Sequence, residues 1–271
     1  MDLELASDRA LVVGGASGIG RAIAAAFAAE GASVHLLDRD ARVAATAAEL
    51  DERRGGSGGT VTGGVLDVTD GPATADALAR LWDERPIDHV VYAVGAGSGQ
   101  YGFPFWNVDP ARWPHVLAVN LTGAVVVATA LAPKMADRRR GTWLFLSSVA
   151  GQVGSPTDPP YSAAKAGLIN FAQVCARDLA PSGVRVNTIC PGMIATPLNR
   201  SVWQAWADRQ TPETYRDYET WTDEKIRRVV PLARWQTAED VAAMAVFLAS
   251  PRSANVTGQT VNVDGGTVMH A

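Results

Sequence analysis

Tyr161 and Lys165 stand four residues apart, and Ser148 lies thirteen residues before the tyrosine. On a helix the first two project from one face, so an ammonium can sit beside a phenol. A phenol in water titrates near about 10. A neighbouring cation favours the phenolate, which is a base toward an alcohol proton; in reverse, the phenol is an acid toward a carbonyl oxygen. Ser148 would hold that same oxygen. These three residue types could therefore move a proton at a carbinol or carbonyl centre. A Tyr-x-x-x-Lys spacing alone also describes a half-buried ring beside a solvated charge, so the elements around the trio must decide between the two.

Those elements begin at the other end of the chain. Residues 10–20 read ALVVGGASGIG, an apolar run entering a glycine-rich turn, and RAIAAAFAAEGA follows with strong helix propensity and a terminal glycine. That order is strand, phosphate turn, helix. Gly14, Gly18 and Gly20 permit the tight turn and the close approach of a pyrophosphate, with Ser17 and Ile19 between them at the amide-rich helix start. The next strand, SVHLLDR, ends in Asp38, eighteen residues after Gly20. A carboxylate there accepts hydrogen bonds from ribose hydroxyls and repels a 2′-phosphate, which favours NAD over NADP. Arg39 and Arg42 leave an opening for the phosphorylated form.

In this order the motifs resemble the short-chain dehydrogenase/reductase superfamily, in its compact single-domain branch. The resemblance covers nearly the whole chain: the turn from Gly14 to Gly20, Asp38, LDV at 66–68, VNLTG around Asn120, LSSVAG with Ser148, YSAAK with Tyr161 and Lys165, PGMIAT from Pro191 to Thr196, and TGQTVNVDGG near the end. It implies a catalytic set of Asn120, Ser148, Tyr161 and Lys165, with Asn120 positioning a water in a proton relay to Lys165. It also implies that Asp67 and Val68 touch the adenine, that Gly95, Pro191 and Gly192 border the cofactor, and that Ile194 and Thr196 contact the nicotinamide carboxamide. Lys165 would both depress the Tyr161 pKa and bind the nicotinamide ribose. The fold implied is α/β, a three-layer, doubly wound Rossmann arrangement around a mostly parallel seven-stranded sheet. A homodimer or homotetramer is implied as well, because the family packs the helix after Pro159 and Pro160 against a second subunit.

Two departures from the family pattern stand opposite each other. Val13 replaces the usual threonine before the first glycine, and Tyr92-Ala93-Val94-Gly95 replaces the usual Asn-Asn-Ala-Gly. Removing one partner of a buried hydrogen bond costs about 1 to 3 kcal/mol, whereas removing both can be nearly neutral. Val13 is therefore expected to pack against the altered tetrad as an apolar substitute.

Composition agrees with a single domain over residues 1–271. The 271 residues are 47% hydrophobic, enough for one large core, and the net charge of −4 gives no basic footprint for nucleic acid. Cys175 and Cys190 have no paired spacing, and His35, His89, His115 and His270 have no ligand spacing, so no metal is expected. The start MDLELASDR lacks a signal pattern and no apolar run was expected to approach a membrane span, which suggests a cytoplasmic protein without a membrane partner.

Strands are expected at residues 10–14, 33–38, 60–66, 89–94, 142–148, 185–190 and 260–263, most of them continuously apolar as in a buried parallel sheet. GGSGG at 55–59 reads as a surface loop. The segment at about 197–232 is read as a substrate-lid insertion, with Trp203, Trp206, Tyr215, Tyr218 and Trp221 either lining a pocket or pinning the lid. QYGFPFW at 100–106 is a candidate opposite wall. The leading function is NAD-dependent hydride transfer between the nicotinamide and a small-molecule secondary alcohol or ketone, cyclic, polyol-like or aromatic-pocket in character. The alternatives are a 3-oxoacyl thioester reductase acting on acyl-carrier-protein substrates, and a non-catalytic NAD-binding sensor.

Overall fold

Strand β1 (Arg9–Val13, RALVV) is buried along its whole length, as expected of a strand covered on both faces. It is followed by α1 (Gly18–Ala29), β2 (Ser33–Asp38), α2 (Val43–Arg53), β3 (Val61–Val65), α3 (Gly71–Glu84) and β4 (His89–Tyr92). The second half contains α4 (Trp113–Leu117), α5 (Gly123–Arg138), β5 (Thr142–Leu146), α6 (Pro159–Leu179) and β6 (Arg185–Pro191). It closes with α7 (Pro197–Ala207), α8 (Tyr218–Val229), α9 (Ala238–Ala249) and β7 (Thr260–Val263). The computed structural model describes residues 2–269 except 55–57, 101, 156 and 195–196, and the side chains of 197 and 198 are also outside the description. Thr196, Tyr101, His270 and the first three residues of GGSGG thus lie outside the described residues.

The seven strands form one sheet in the order β3-β2-β1-β4-β5-β6-β7, and every pairing is parallel. The order reverses between β1 and β4, which opens a crevice at the carboxyl ends of those strands. One face of the sheet packs Ile23, Ala24 and Phe27 of α1 with Val241, Ala245 and Leu248 of α9. The other packs Leu78 and Leu81 of α3, Val127 and Leu131 of α5, and Leu168 and Ala172 of α6. The result is the expected three-layer, doubly wound fold. Strand ends agree with expectation or differ by one or two residues, and Gly14, Ala93, Val94, Ser147 and Ser148 fall just beyond the strand ends, at the crevice rim.

One expectation about length is corrected. Residues Pro110–Arg138 form a continuous helical run of 29 residues containing an 18-residue window of mean hydropathy 1.9, long and apolar enough to cross a membrane. Val116, Val119, Ala124, Val127, Leu131 and Met135 of this run are buried against the sheet and neighbouring helices. The run therefore behaves as a core helix. A five-residue π turn, Ala118–Thr122, interrupts it and contains Asn120. Such a turn re-aims side chains and is frequent at functional sites.

The Val13 substitution is accommodated as expected, with one addition. Val13 pairs with Tyr92 across the β1–β4 ladder and is fully buried with Leu37, Leu66 and Val68. Tyr92 is not merely apolar: its hydroxyl donates to the Val119 carbonyl at 2.6 Å, tying β4 to the π turn. A Cβ at Gly123 would lie 2.6 Å from that hydroxyl, so only glycine lets α5 approach. Replacing Val13 with threonine puts a hydroxyl into this apolar layer. Val13→Thr should lower stability by about 1 to 3 kcal/mol in chemical denaturation, and clear stabilisation would refute the packing account.

Candidate active site

The phosphate end of the crevice is shaped by glycines. Gly14 has φ +90° and its Cβ would sit 2.8 Å from the Ala93 carbonyl carbon, while a Cβ on Gly20 would lie 2.0 Å from the Gly14 oxygen. No larger residue fits at Gly20 without moving the turn. Ser17 stands at the N-cap of α1 in extended conformation and makes no side-chain capping bond, and the first turn carries no acidic residue. The amides at the start of this twelve-residue helix thus face the cleft without a side-chain acceptor, an arrangement suited to a pyrophosphate.

A pocket of about 330 Å³ joins Gly14, Ser17, Gly18, Ile19, Gly20, Asp38, Arg39, Asp67, Val68, Gly95, Tyr161, Lys165 and Pro191. Residues separated by as many as 177 positions in the chain therefore meet in one cleft, as the sequence motifs implied. Asp38 accepts the Ala16 amide through Oδ2 and the Asp40 amide through Oδ1, both at 3.0 Å, which fixes the carboxylate at the end of β2. Asp67 accepts the Thr69 amide and hydroxyl, and these bonds hold its carboxyl below the usual carboxylate range. The shape, the uncapped helix and the acid at Asp38 fit a dinucleotide. Gly14, Gly18 and Gly20 would hold its phosphates, Asp38 a ribose, and Asp67 with Val68 the adenine end.

The candidate proton-transfer residues sit where α6 crosses the ends of β4 and β5. Pro159 and Pro160 begin the helix, where their missing amides are harmless. Ser147 Oγ donates to the Lys165 carbonyl at 2.8 Å, Ser162 Oγ donates to the Ala150 carbonyl, and a Cβ on Gly151 would lie 2.7 Å from the Lys165 carbonyl carbon. This close crossing brings Ser148 to Tyr161. Ser148 itself starts a short 3₁₀ turn, accepting the Ala150 amide at 3.1 Å.

Burial controls the electrostatics. It pushes the Tyr161 phenol up to about 12, against a hydrogen bond with Ser148 that lowers it. Lys165 is 2% exposed, and burial lowers it to about 7. Its Nζ donates to Val94 O at 3.0 Å and Leu146 O at 2.8 Å, and stands 5.6 Å from the Tyr161 ring centre. Ser148 is the hydrogen-bond partner that opposes the rise of the phenol pKa here, and a desolvated lysine holds its own charge weakly. Loss of the phenol proton would place an anion near this amine and draw the lysine pKa back up.

Asn120 is fully buried, and its side chain is committed. Nδ2 donates to Ala96 O and Val116 O, both at 2.8 Å, and Oδ1 accepts the Ala96 amide at 3.3 Å. The side chain clamps the loop after β4 to the π turn, so any relay at this residue must run through its backbone. Gln236, which sequence reasoning missed, plays a comparable part beyond β6. It accepts the Met193 amide at 2.9 Å, pairs with Ile194, and would meet a Cβ on Gly192 at 2.7 Å. It thereby shapes the loop from Pro191 to Ile194. A lone glutamine before a helix carries no sequence signal for such a role.

A second pocket of about 720 Å³ lies beyond Tyr161, lined among others by Ser148, Asp158, Ile194, Trp206, Trp221 and Lys225. The lid aromatics divide between the two roles considered. Trp206 and Trp221 face this pocket, whereas Trp203, Tyr215 and Tyr218 stack edge to face, with the Trp203 indole donating to Arg216 O and Tyr218 to Asn199. None of the described residues of the candidate wall at 100–106 is part of the lining. Phe103, Phe105 and Trp106 are 62%, 70% and 71% exposed instead.

Residues 14–268 match the family described as Enoyl-(Acyl carrier protein) reductase. The chain belongs to the short-chain dehydrogenase/reductase superfamily. It is 35% identical to (3R)-3-hydroxyacyl-CoA dehydrogenase from Mus musculus over 98% of both chains, and 34% identical to 3-oxoacyl-[acyl-carrier-protein] reductase from Synechocystis over 98% of both. Its fold is similar to the L-sorbose reductase of Gluconobacter frateurii, solved with NADPH and L-sorbose, with TM-score 0.88, 26% identity and full coverage of both chains. The protein is an oxidoreductase of this superfamily acting on hydroxyl or keto groups.

Two outcomes follow from the geometry. Tyr161→Phe should abolish turnover while leaving cofactor binding, followed by NADH fluorescence, nearly unchanged. With the Tyr161 phenolate as the expected base and Ser148 opposing the rise of its pKa, the kcat/KM for alcohol oxidation should rise with pH, and Ser148→Ala should move that rise to higher pH.

Proposed function

We propose that this protein is an NAD-dependent dehydrogenase of a small secondary alcohol, cyclic or polyol-like, acting reversibly on the matching ketone. The observation that carries the reading is that Tyr161 lines both pockets at once. A substrate carbinol resting on it from the larger pocket faces the dinucleotide cleft. A nicotinamide bound there supplies the hydride acceptor or donor. Ser148 holds the substrate oxygen, Tyr161 takes its proton in oxidation and returns it in reduction, and buried Lys165 compensates the phenolate charge. Pro191 borders both pockets, and Gly192 and Ile194 line the larger one. Thr196 keeps its proposed carboxamide contact from the family resemblance alone.

NAD is favoured because the fixed Asp38 carboxylate would face a 2′-phosphate with like charge. The sorbose reductase was solved with NADPH, so the phosphorylated cofactor is the alternative to be tested alongside. The homodimer or homotetramer is part of the proposal on the family resemblance, and the cytoplasmic location on the sequence reading. A 3-oxoacyl thioester reductase is the second reading, favoured by the two sequence relatives named above.

The test is absorbance of NADH or NADPH formed with a panel of secondary alcohols, cyclic diols, polyols and sugars, alongside reduction of a 3-oxoacyl thioester. Turnover of an alcohol with NAD⁺ is expected. Exclusive reduction of the thioester with NADPH would overturn the leading reading. Asp38→Ser should lower the NAD⁺/NADP⁺ ratio of kcat/KM by about tenfold or more, since each decade corresponds to about 1.4 kcal/mol and like-charge contacts cost several.

A further inference from the structure

On the lid side, the wall of the larger pocket is one face of α8. Trp221, Glu224, Lys225, Arg228 and Val229 all line it, at the three- and four-residue spacings that put helical residues on one side. The acids of this helix are already paired: Glu219 with Arg200 at 3.8 Å, Asp223 with Arg227 at 3.9 Å and Glu224 with Arg216 at 3.6 Å. Lys225 and Arg228 are the cations of α8 left over, with no ion pair or side-chain hydrogen bond among the described residues. Arg228 lies in the last turn, where the helix dipole favours a positive charge. Lys225 stands outside that turn, half-buried, with its ammonium 4.6 Å from the centre of the Trp221 ring.

Burial lowers the Lys225 pKa, so the amine holds its charge at a cost that an anionic partner would remove. The indole face attracts the cation but gives its N–H groups no oxygen to bind, whereas a carboxylate or phosphate does both. The protein supplies no such partner from the pocket wall. Asp158, the other acid of the lining besides Glu224, is on the α6 side and engaged with Ser98 and the Tyr161 amide. Ser148 and Tyr161 stand on that same side and account for the reacting oxygen. A substrate with its carbinol on Tyr161 therefore spans the pocket from α6 toward α8 and brings its far end to Lys225.

We propose that Lys225, supported by Arg228, binds an anionic group at the far end of the substrate, so that the secondary alcohol oxidised at Tyr161 is a small hydroxy acid carrying a carboxylate, phosphate or sulfonate. This inference rests on the oxidoreductase reading of the Tyr161 site and deepens it by adding a charge to the substrate. The reaction balances as for any carbinol oxidation: the C–H pair leaves as hydride to NAD⁺, and the O–H proton leaves to Tyr161. The anionic group is not consumed and leaves with the keto acid.

The experiment compares wild type, Lys225→Gln, Lys225→Met and Lys225→Arg on pairs that differ in charge. The pairs are 3-hydroxybutanoate against its methyl ester, 3-hydroxybutyl phosphate and 3-hydroxybutane-1-sulfonate against butane-1,3-diol, and a hexonate against the matching hexitol. Wild type should prefer the anionic member of at least one pair by about tenfold or more in kcat/KM, and the preferred pair identifies the anion. Lys225→Gln and Lys225→Met should each lower that preference about 10- to 100-fold, mainly through KM, because the anion lies away from the reacting carbon. Lys225→Arg keeps the cation and should retain most of the preference, an outcome that a purely structural role for the lysine does not require. A wild type without such a preference, or a preference that survives both neutral variants, would overturn the inference and leave the oxidoreductase reading standing. A 3-oxoacyl thioester of coenzyme A that is reduced in place of these alcohols, and in preference to the phosphate-free N-acetylcysteamine thioester, would move the anion to the carrier and overturn the small-acid assignment. Absence of turnover on any alcohol or thioester with either cofactor would overturn the oxidoreductase reading itself, and this inference with it.

Discussion

The crossing of α6 over the ends of β4 and β5 is the constraint on which the site depends. Lys165 reaches through that crossing to the carbonyls of Val94 and Leu146, and Ser147 returns a bond to the Lys165 backbone. Gly151 and Ser162 hold the loop carrying Ser148 tight against the same helix. A lysine buried to this degree pays for desolvation with a pKa near about 7. In return its amine is available to respond when Tyr161 changes charge, within a shielded environment where electrostatic interactions are strong. The candidate trio Ser148, Tyr161 and Lys165 is thus a product of one packing contact between a helix and two strand ends.

The second organising feature is the reversal of strand order between β1 and β4. It leaves the carboxyl ends of those strands uncovered, so the glycine turn after β1, the acid after β2 and the loop after β4 face one crevice. Where the chain departs from its family, the departure is local and compensated. Val13 removes a polar partner on β1, and Tyr92 turns its hydroxyl away from that layer to the π turn beside Asn120. The phenol thereby replaces a strand-to-strand link by a strand-to-helix link, and Asn120 remains clamped to the loop at Ala96.

Beyond Tyr161 the site is less uniform. Serines, Thr157 and Asp158 lie on the α6 side of the pocket, and Trp206, Trp221 and Lys225 lie on the lid side. Lys225 sits over the Trp221 ring at 4.6 Å, so its charge is partly satisfied by the lid itself. Three other lid aromatics pack on one another and stabilise the lid without lining the pocket. Aromatic content alone could not distinguish these roles, since every one of the five residues has an apolar body and a polar or polarisable edge.

The sequence by itself determined the fold class, the seven strands and the residues of the cofactor cleft, because these depend on local requirements: continuous apolar runs for buried parallel strands, glycine where backbones meet, an acid at the end of β2, and a four-residue spacing on one helix. Glycine at position 20 is legible because nothing larger fits 2.0 Å from a carbonyl. Only the tertiary structure decided what depends on burial and on partners distant in the chain. It buried Tyr161 and Lys165 together and so raised the phenol pKa while lowering that of the amine, committed the Asn120 side chain to a clamp, and placed Phe103, Phe105 and Trp106 on the surface. A sequence fixes which groups are present, but desolvation and hydrogen-bond completion are properties of the surroundings, and those exist only once helix, strand ends and lid have come together.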